Sequence, residues 1–365
     1  MRKPEKIVPG AIVNFCFVCS HLYPCSYGGA ELRYYLLAQE LTKMGHKVFY
    51  ITYSYNCANP SIHLVPVGRP PQHYDKRGRR KLLPVITFGF KAVRALKKLR
   101  CDVVDVTVPY TPALFLPKHS FILTLHEFWG PMWRSYYSTP LGVLAEKGEK
   151  LLISRSKIII TPSDFVAKKV REHTNVPVRS VPLGLPLEKY SKFAHNVNKD
   201  VDVIAIGRFV PIKGWDKFVQ LLKLIDKPLK VVVIGDGPLY SYLLQQMSST
   251  IHKVEIRRKV SETEKLSLLS RAKYYLNLSQ FEGFSIATLE ALMCGACPIV
   301  LDTGYNAAVE IVKNLGCGFI IKSIEEAAEL LATDPPQCTP NLSYYTIEAF
   351  VKRYLESLVT IYDFW

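Results

Sequence analysis

Short apolar runs alternate with stretches of helical apolar spacing along nearly the whole chain, in two successive sets. Strands separated by helices pair in parallel, because each helix crosses over and returns the chain to the same end of the sheet. The pattern predicts an α/β protein with two doubly wound, Rossmann-like domains facing each other across a cleft. In the first set, strands are expected at residues 11–19, 47–52, 103–108, 121–125 and 157–161, with helices at 141–155 and 163–173 among the crossovers. In the second, strands are expected at 202–206, 230–234, 272–279 and 298–301. A proline-rich segment at 177–186 and a polar one at 191–200 read as a linker. The expected domains are therefore residues 1–195 and 196–342, followed by one long apolar-rich helix in 343–365.

The densest chemical signal is Phe281-Glu282-Gly283-Phe284-Ser285-Ile286-Ala287-Thr288-Leu289-Glu290, where a strand gives way to a helix. Gly283 permits the turn, Ser285 suits an N-cap, and Ile286, Leu289 and Leu292 mark a buried helix face. The first helical turn presents free N–H groups and a partial positive charge, which suit a phosphate. Glu282 and Glu290 flank that position, and carboxylates beside a phosphate suit sugar hydroxyls; the plainer reading makes them solvated surface charges.

Other strand ends carry further candidates. Gly28-Gly29-Ala30-Glu31 follows the first strand, where a glycine pair lets a ligand approach the backbone. His126 ends the strand at 121–125, either facing a ligand or satisfied in the core, and the aromatic segment 128–140 after it is expected as a mobile loop. Arg208 and Lys213 follow the strand at 202–206, an arrangement in which a planar fork and a point charge reach one diphosphate.

Charge narrows the partners. A net charge of +16 favours anionic ligands or surfaces. Eleven basic residues lie between Arg69 and Arg100 against the single acid Asp75, including the run Lys76-Arg77-Gly78-Arg79-Arg80-Lys81. From Val85 to Leu99 apolar residues interleave with Lys91, Arg94, Lys97 and Lys98, as in a basic amphipathic helix that lies on an anionic membrane or, equally, packs on a core with a solvated cationic face. Nucleic acid is not an expected partner. No apolar run reaches the length of a membrane span. The basic start and apolar stretch at the N-terminus, split by Pro9-Gly10, read as the approach to the first strand. Cys16, Cys19, Cys101 and Cys294, of nine cysteines, sit in apolar contexts and are expected as reduced thiols, and no cysteine spacing forms a compact metal knuckle.

Taken together, Gly28-Gly29-Ala30-Glu31, His126, Gly207-Arg208 with Lys213-Gly214, Gly235-Asp236-Gly237-Pro238, and Glu282-Gly283-Phe284 with Glu290 seven residues beyond Glu282 resemble the retaining glycosyltransferases of the family 4 type with the GT-B fold, over nearly the whole length. Ser285 stands where that family has glycine, and Leu183 where it has asparagine. The resemblance implies that Arg208 and Lys213 bind a donor diphosphate, that Glu290 holds the ribose and Glu282 lies near the donor sugar, and that the amides of Phe284, Ser285 and Ile286 support the phosphate or sugar. It places Gly28 and Gly29 against the donor from the first domain and His126 near the reacting carbon, and it implies that the last helix packs back on that domain. It also implies a metal-independent hexosyl transfer, with no cofactor, from a nucleotide-sugar donor linked to UDP or GDP to a glycan or lipid-linked acceptor. The expected setting is cytoplasmic, peripheral on the inner face of the cell membrane. The alternatives are a catalytically silent GT-B scaffold that binds glycan or membrane, and a sugar-nucleotide epimerase or phosphorylase on the same fold.

Overall fold

The computed structural model describes residues 12–26, 28–56, 62–72, 81–137, 140–194 and 198–362. The chain divides into two compact units, Met1–Gly184 with Ile347–Trp365, and Leu185–Thr346. The first unit runs β1 (Asn14–Val18), α1 (Gly29–Lys43), β2 (Lys47–Thr52), β3 (His63–Pro66), α2 (Leu82–Leu96), β4 (Val103–Val106), α3 (Pro112–Phe115), β5 (Ile122–Thr124), α4 (Trp133–Tyr136), α5 (Leu141–Arg155), β6 (Ile158–Thr161), α6 (Asp164–Arg171) and β7 (Val178–Ser180). Its seven strands pair in the order β3-β2-β1-β4-β5-β6-β7, all parallel.

The second unit runs α7 (Leu187–Ala194), β8 (Val201–Ile206), α8 (Trp215–Leu224), β9 (Lys230–Ile234), α9 (Tyr240–Ser248), β10 (Lys253–Arg257), α10 (Glu262–Arg271), β11 (Ala272–Asn277), α11 (Ile286–Met293), β12 (Cys297–Leu301), α12 (Ala308–Leu315), β13 (Phe319–Ile321) and α13 (Ile324–Leu331). Its parallel sheet has the order β10-β9-β8-β11-β12-β13. Central strands such as β4, β6 and β12 are buried at every position, as strands covered by helices on both faces must be. The final helix, α14 (Ile347–Tyr362), belongs to the first unit. These are two parallel, Rossmann-like α/β units, as the alternating pattern predicts.

Several expectations are corrected. The proline-rich segment contains the edge strand β7, which pairs with β6, and the polar stretch after it begins inside α7. The terminal helix does not start at residue 344: Leu342–Tyr345 is a 3-10 turn, and α14 begins after Thr346. The aromatic segment, expected as a loop, holds a 3-10 turn at Gly130–Met132 and the short helix α4 in its described part. Trp129 stacks on Trp133 with ring centres 5.0 Å apart, and the buried Glu149 carboxylate accepts from the N–H groups of Trp129 and Gly130 at 3.2 and 2.7 Å. The expectation of reduced thiols fails for Cys16 and Cys101: Cys16 on β1 is bridged to Cys101, which lies just before the neighbouring strand β4, and another bridge joins Cys317 to Cys338. Cys294 and Cys297 are unbridged and buried. The basic run at 76–80 lies outside the described residues.

Candidate active site

In the second unit the expected residues gather around the C-terminal ends of β8 and β11, neighbours in the sheet between which the order of connection reverses. Such a reversal sends the following helices to opposite faces and leaves a crevice at the strand ends. Gly214 shapes one side of it. With φ at +72° and a Cβ that would stand 2.0 Å from the Leu278 carbonyl oxygen, only glycine lets the loop after β8 press against the loop after β11. That approach brings Lys213 Nζ to 2.6 Å from Glu282 Oε1, with the two side chains only 16% and 14% exposed. Ser279 Oγ donates to the same oxygen at 3.0 Å. The Glu282 backbone is pinned as well, its N–H donating to the Tyr305 carbonyl at 2.9 Å and its own carbonyl accepting from Ala307 at 3.0 Å. Arg208, in the same loop as Lys213, is exposed, while its carbonyl accepts from Trp215 Nε1 at 2.7 Å.

Ser285 occupies the N-cap position of α11, but its hydroxyl does not cap the helix, which corrects that expectation. Its backbone is left-handed, with φ at +74°, a conformation that costs a non-glycine residue about 1–2 kcal/mol. Its hydroxyl is instead held by Asn277 Nδ2 at 2.9 Å and Thr288 Oγ1 at 2.8 Å. Ser285 therefore does not cap the helix start with its side chain, and backbone donors and the helix dipole there favour an anion. Phe284 is buried beside Tyr345, and Ile286 opens the helix. Glu290 is no solvated charge, being 2% exposed, with Oε1 accepting from Lys265 Nζ at 2.7 Å and from the Tyr190 hydroxyl at 3.2 Å.

The first unit holds the remaining candidates. Gly28 is the N-cap of α1 and Gly29 its first residue; a Cβ on Gly28 would stand 2.1 Å from Glu31 Oε2, so glycine lets that carboxylate fold back on the loop. His126 follows β5, and its N–H donates to the Tyr110 hydroxyl at 3.2 Å. Its ring nitrogen Nε2 is buried without a partner among the described residues. Burial, and then the nearby Arg33 charge, hold this imidazole down at about 3, so the ring is neutral at neutral pH.

Beside His126 lies a cluster that no motif announced. The Asp105 carboxylate on β4, fully buried, accepts from Tyr34 at 2.5 Å, Thr124 at 2.8 Å and Tyr354 of α14 at 2.9 Å. Burial raises it to about 6 against the opposing pull of those hydroxyls. Arg33, also buried, donates to the Val181 carbonyl at 2.7 Å and lies 4.6 Å over the Phe350 ring. The available signal was an acid inside the apolar run Val103-Val104-Asp105-Val106. Lys265 and Tyr190 gave none. Gly28, Gly29 and His126 thus belong to the first unit, and Arg208, Lys213, Glu282, Phe284, Ser285, Ile286 and Glu290 to the second.

Residues 27–189 match the family described as Glycosyltransferase Family 4, and residues 188–333 match Glycosyl transferases group 1. One subunit of the phosphatidylinositol N-acetylglucosaminyltransferase of Arabidopsis thaliana is 23% identical over 92% of this chain and 78% of its own. Sucrose-phosphate synthase from Thermosynechococcus elongatus shares the fold with a TM-score of 0.69 at 15% identity, over 96% of each chain. The Anabaena protein HepE, solved with UDP and glucose, does so with a TM-score of 0.69 at 14% identity, over 95% of this chain and all of its own.

Proposed function

We propose, for a chain that belongs to the GT-B glycosyltransferases of family 4 and group 1, that it transfers a hexosyl group from a nucleoside-diphosphate sugar to an acceptor hydroxyl with retention and without a metal ion. The observation that carries this reading is the contact of Lys213 with Glu282 at the β8 and β11 strand ends, with Arg208 in the same loop. Lys213 and Arg208 would take the diphosphate, and the uncapped start of α11 adds backbone donors to the same charge. Fixed cations and amide dipoles of this kind stabilise a departing phosphate in the role otherwise filled by a divalent ion. In the step proposed, the bond from the anomeric carbon to the phosphate oxygen breaks while the acceptor oxygen bonds to that carbon from the same face, and the acceptor proton passes to the departing phosphate. Glu282, steered by Lys213 and Ser279, would hold donor-sugar hydroxyls, and Glu290 the ribose. Gly28 and Gly29 would lend close backbone approach, and the neutral His126 would accept or donate a single hydrogen bond near the reacting carbon without adding charge.

The Arabidopsis relative is named for N-acetylglucosamine and phosphatidylinositol, which supports an amino-hexose donor and an amphiphilic acceptor, and the HepE complex supports a uridine nucleotide. A peripheral place on the cytoplasmic face of a membrane fits such an acceptor. No described helix is long and apolar enough to cross a membrane, and α2 offers an exposed apolar face instead.

The test is a thermal-shift panel of UDP, GDP and ADP with their sugar conjugates, in magnesium and in EDTA, followed by turnover of the donor that binds. One nucleotide stabilising the protein equally in both conditions, with Lys213→Ala cutting kcat/KM by about a hundredfold or more, is the expected result. Stabilisation by none of them would leave a non-catalytic scaffold in its place.

A further inference from the structure

Glu290 sits where three helices of the second unit converge, and its two oxygens are treated differently. Oε1 carries both donors, Lys265 from α10 and Tyr190 from α7. No donor among the described residues reaches Oε2. Tyr190 is itself only 2% exposed, so its hydroxyl meets the carboxylate away from solvent. The Lys265 ammonium is pulled down by burial, but the adjacent Glu290 charge outweighs this and leaves it above the usual lysine value, a firmly held cation. A carboxylate saturated on one oxygen and open on the other offers a single acceptor of fixed direction, and an oxygen with two lone pairs suits a pair of neighbouring hydroxyls.

We propose that Lys265 and Tyr190 are positioning residues for the donor's ribose, which saturate Oε1 of Glu290 so that Oε2 is aimed at the 2′ and 3′ hydroxyls, and that selection of ribo- over 2′-deoxyribonucleotides depends on them. The inference rests on the reading above in which Glu290 meets the ribose. It goes further by assigning two residues that never touch the nucleotide to its specificity. Were the Lys265–Glu290 pair only a strut between α10 and α11, its loss would lower stability and weaken every nucleotide alike.

The full-length protein and its Lys265→Met and Tyr190→Phe variants are titrated calorimetrically with UDP and 2′-deoxy-UDP, or with GDP and 2′-deoxy-GDP if guanosine is the base. The unaltered protein is expected to favour the ribonucleotide by about tenfold or more, the worth of one hydrogen bond to a charged group. Both variants should bind the ribonucleotide about tenfold more weakly and the deoxynucleotide, which keeps only the 3′ hydroxyl, less so, so that the ratio falls toward one. Tyr190→Phe removes a single oxygen and keeps the test available if Lys265→Met does not fold. A ratio unchanged in folded variants, or equal loss for both nucleotides, overturns the positioning role and leaves the transferase reading standing. Failure of the unaltered protein to bind any nucleoside diphosphate overturns both.

Discussion

Asp105 is a carboxylate in the driest part of the first unit, and its position there costs stability at neutral pH. Its folded value of about 6 lies above the ordinary value of 3.8, so the folded state binds the proton more tightly than the unfolded chain does. The contribution is therefore greatest below about pH 4 and is lost as the pH rises through about 6, amounting to about 3 kcal/mol at most. Asp105→Asn keeps the shape and abolishes the titration. Its melting temperature relative to the parent should accordingly rise between pH 5 and pH 7.5, as followed by circular dichroism; a pH-independent difference would show that the carboxyl does not titrate in that range. Lys213 belongs to the same scale. Losing it removes one of the two loop cations, and the expected loss of transition-state stabilisation is about 2–4 kcal/mol, read as kcat/KM of the donor reaction. The placement of Lys213 and Glu282 beside one sheet edge was legible because each closely follows a strand, and that of Glu290 because it falls about a turn into the helix that comes next. Asp105, Lys265 and Tyr190 were not, because their partners come from segments far apart in the chain, and only the fold puts Tyr34, Thr124 and Tyr354 around one carboxylate.

Among the elements, the strands that the sequence concealed have a common place. β3, β7, β10 and β13 are the four edges of the two sheets. A central parallel strand is covered on both faces and reads as a continuous apolar run, whereas an edge strand is short, half-wet and carries residues that blunt further pairing. His63 and Pro66 bound β3, and Lys253, Glu255 and Arg257 alternate along β10. Helix α2 shows the complementary case, in which the pattern was visible and left two uses open. It buries Phe88, Ala92, Val93 and Leu96 while exposing Leu82, Leu83, Ile86 and Phe90 at 43%, 72%, 42% and 57%, with Lys91, Arg94, Lys97 and Lys98 also in solvent. Phe90 stacks on Phe115 with ring centres 4.0 Å apart, extending the apolar surface beyond the helix. An apolar strip flanked by cations matches an anionic bilayer surface, at about 1 kcal/mol for each cation brought near it. Leu83→Asp with Phe90→Asp should abolish co-sedimentation with phosphatidylserine-containing liposomes and spare donor hydrolysis; unchanged binding would remove α2 as the contact.

At the level of the whole molecule, the disulfides carry a consequence for where the protein works. A bridge closing 85 residues of the first unit and one closing 21 residues of the second are worth about 3–5 kcal/mol each if they act by limiting the unfolded chain. Such bridges persist in oxidising surroundings, and within cells chiefly in hyperthermophiles. Protein purified without reductant and then denatured should show fewer than nine reactive thiols, and added phosphine should lower its melting temperature by several degrees. Nine titrating thiols would show that the bridges are absent in solution.

The two ends of the second unit meet each other, since Leu185 bridges Thr346 and donates its N–H to the Tyr345 carbonyl at 2.9 Å. Helix α14 then supplies Tyr354 to Asp105, Arg353 to the Pro182 carbonyl, and Phe350 to the face of Arg33. On the ribosome this reverses the usual order of completion. The first unit is synthesised on either side of the second, so Asp105 and Arg33 lack Tyr354 and Phe350 until α14 has been made.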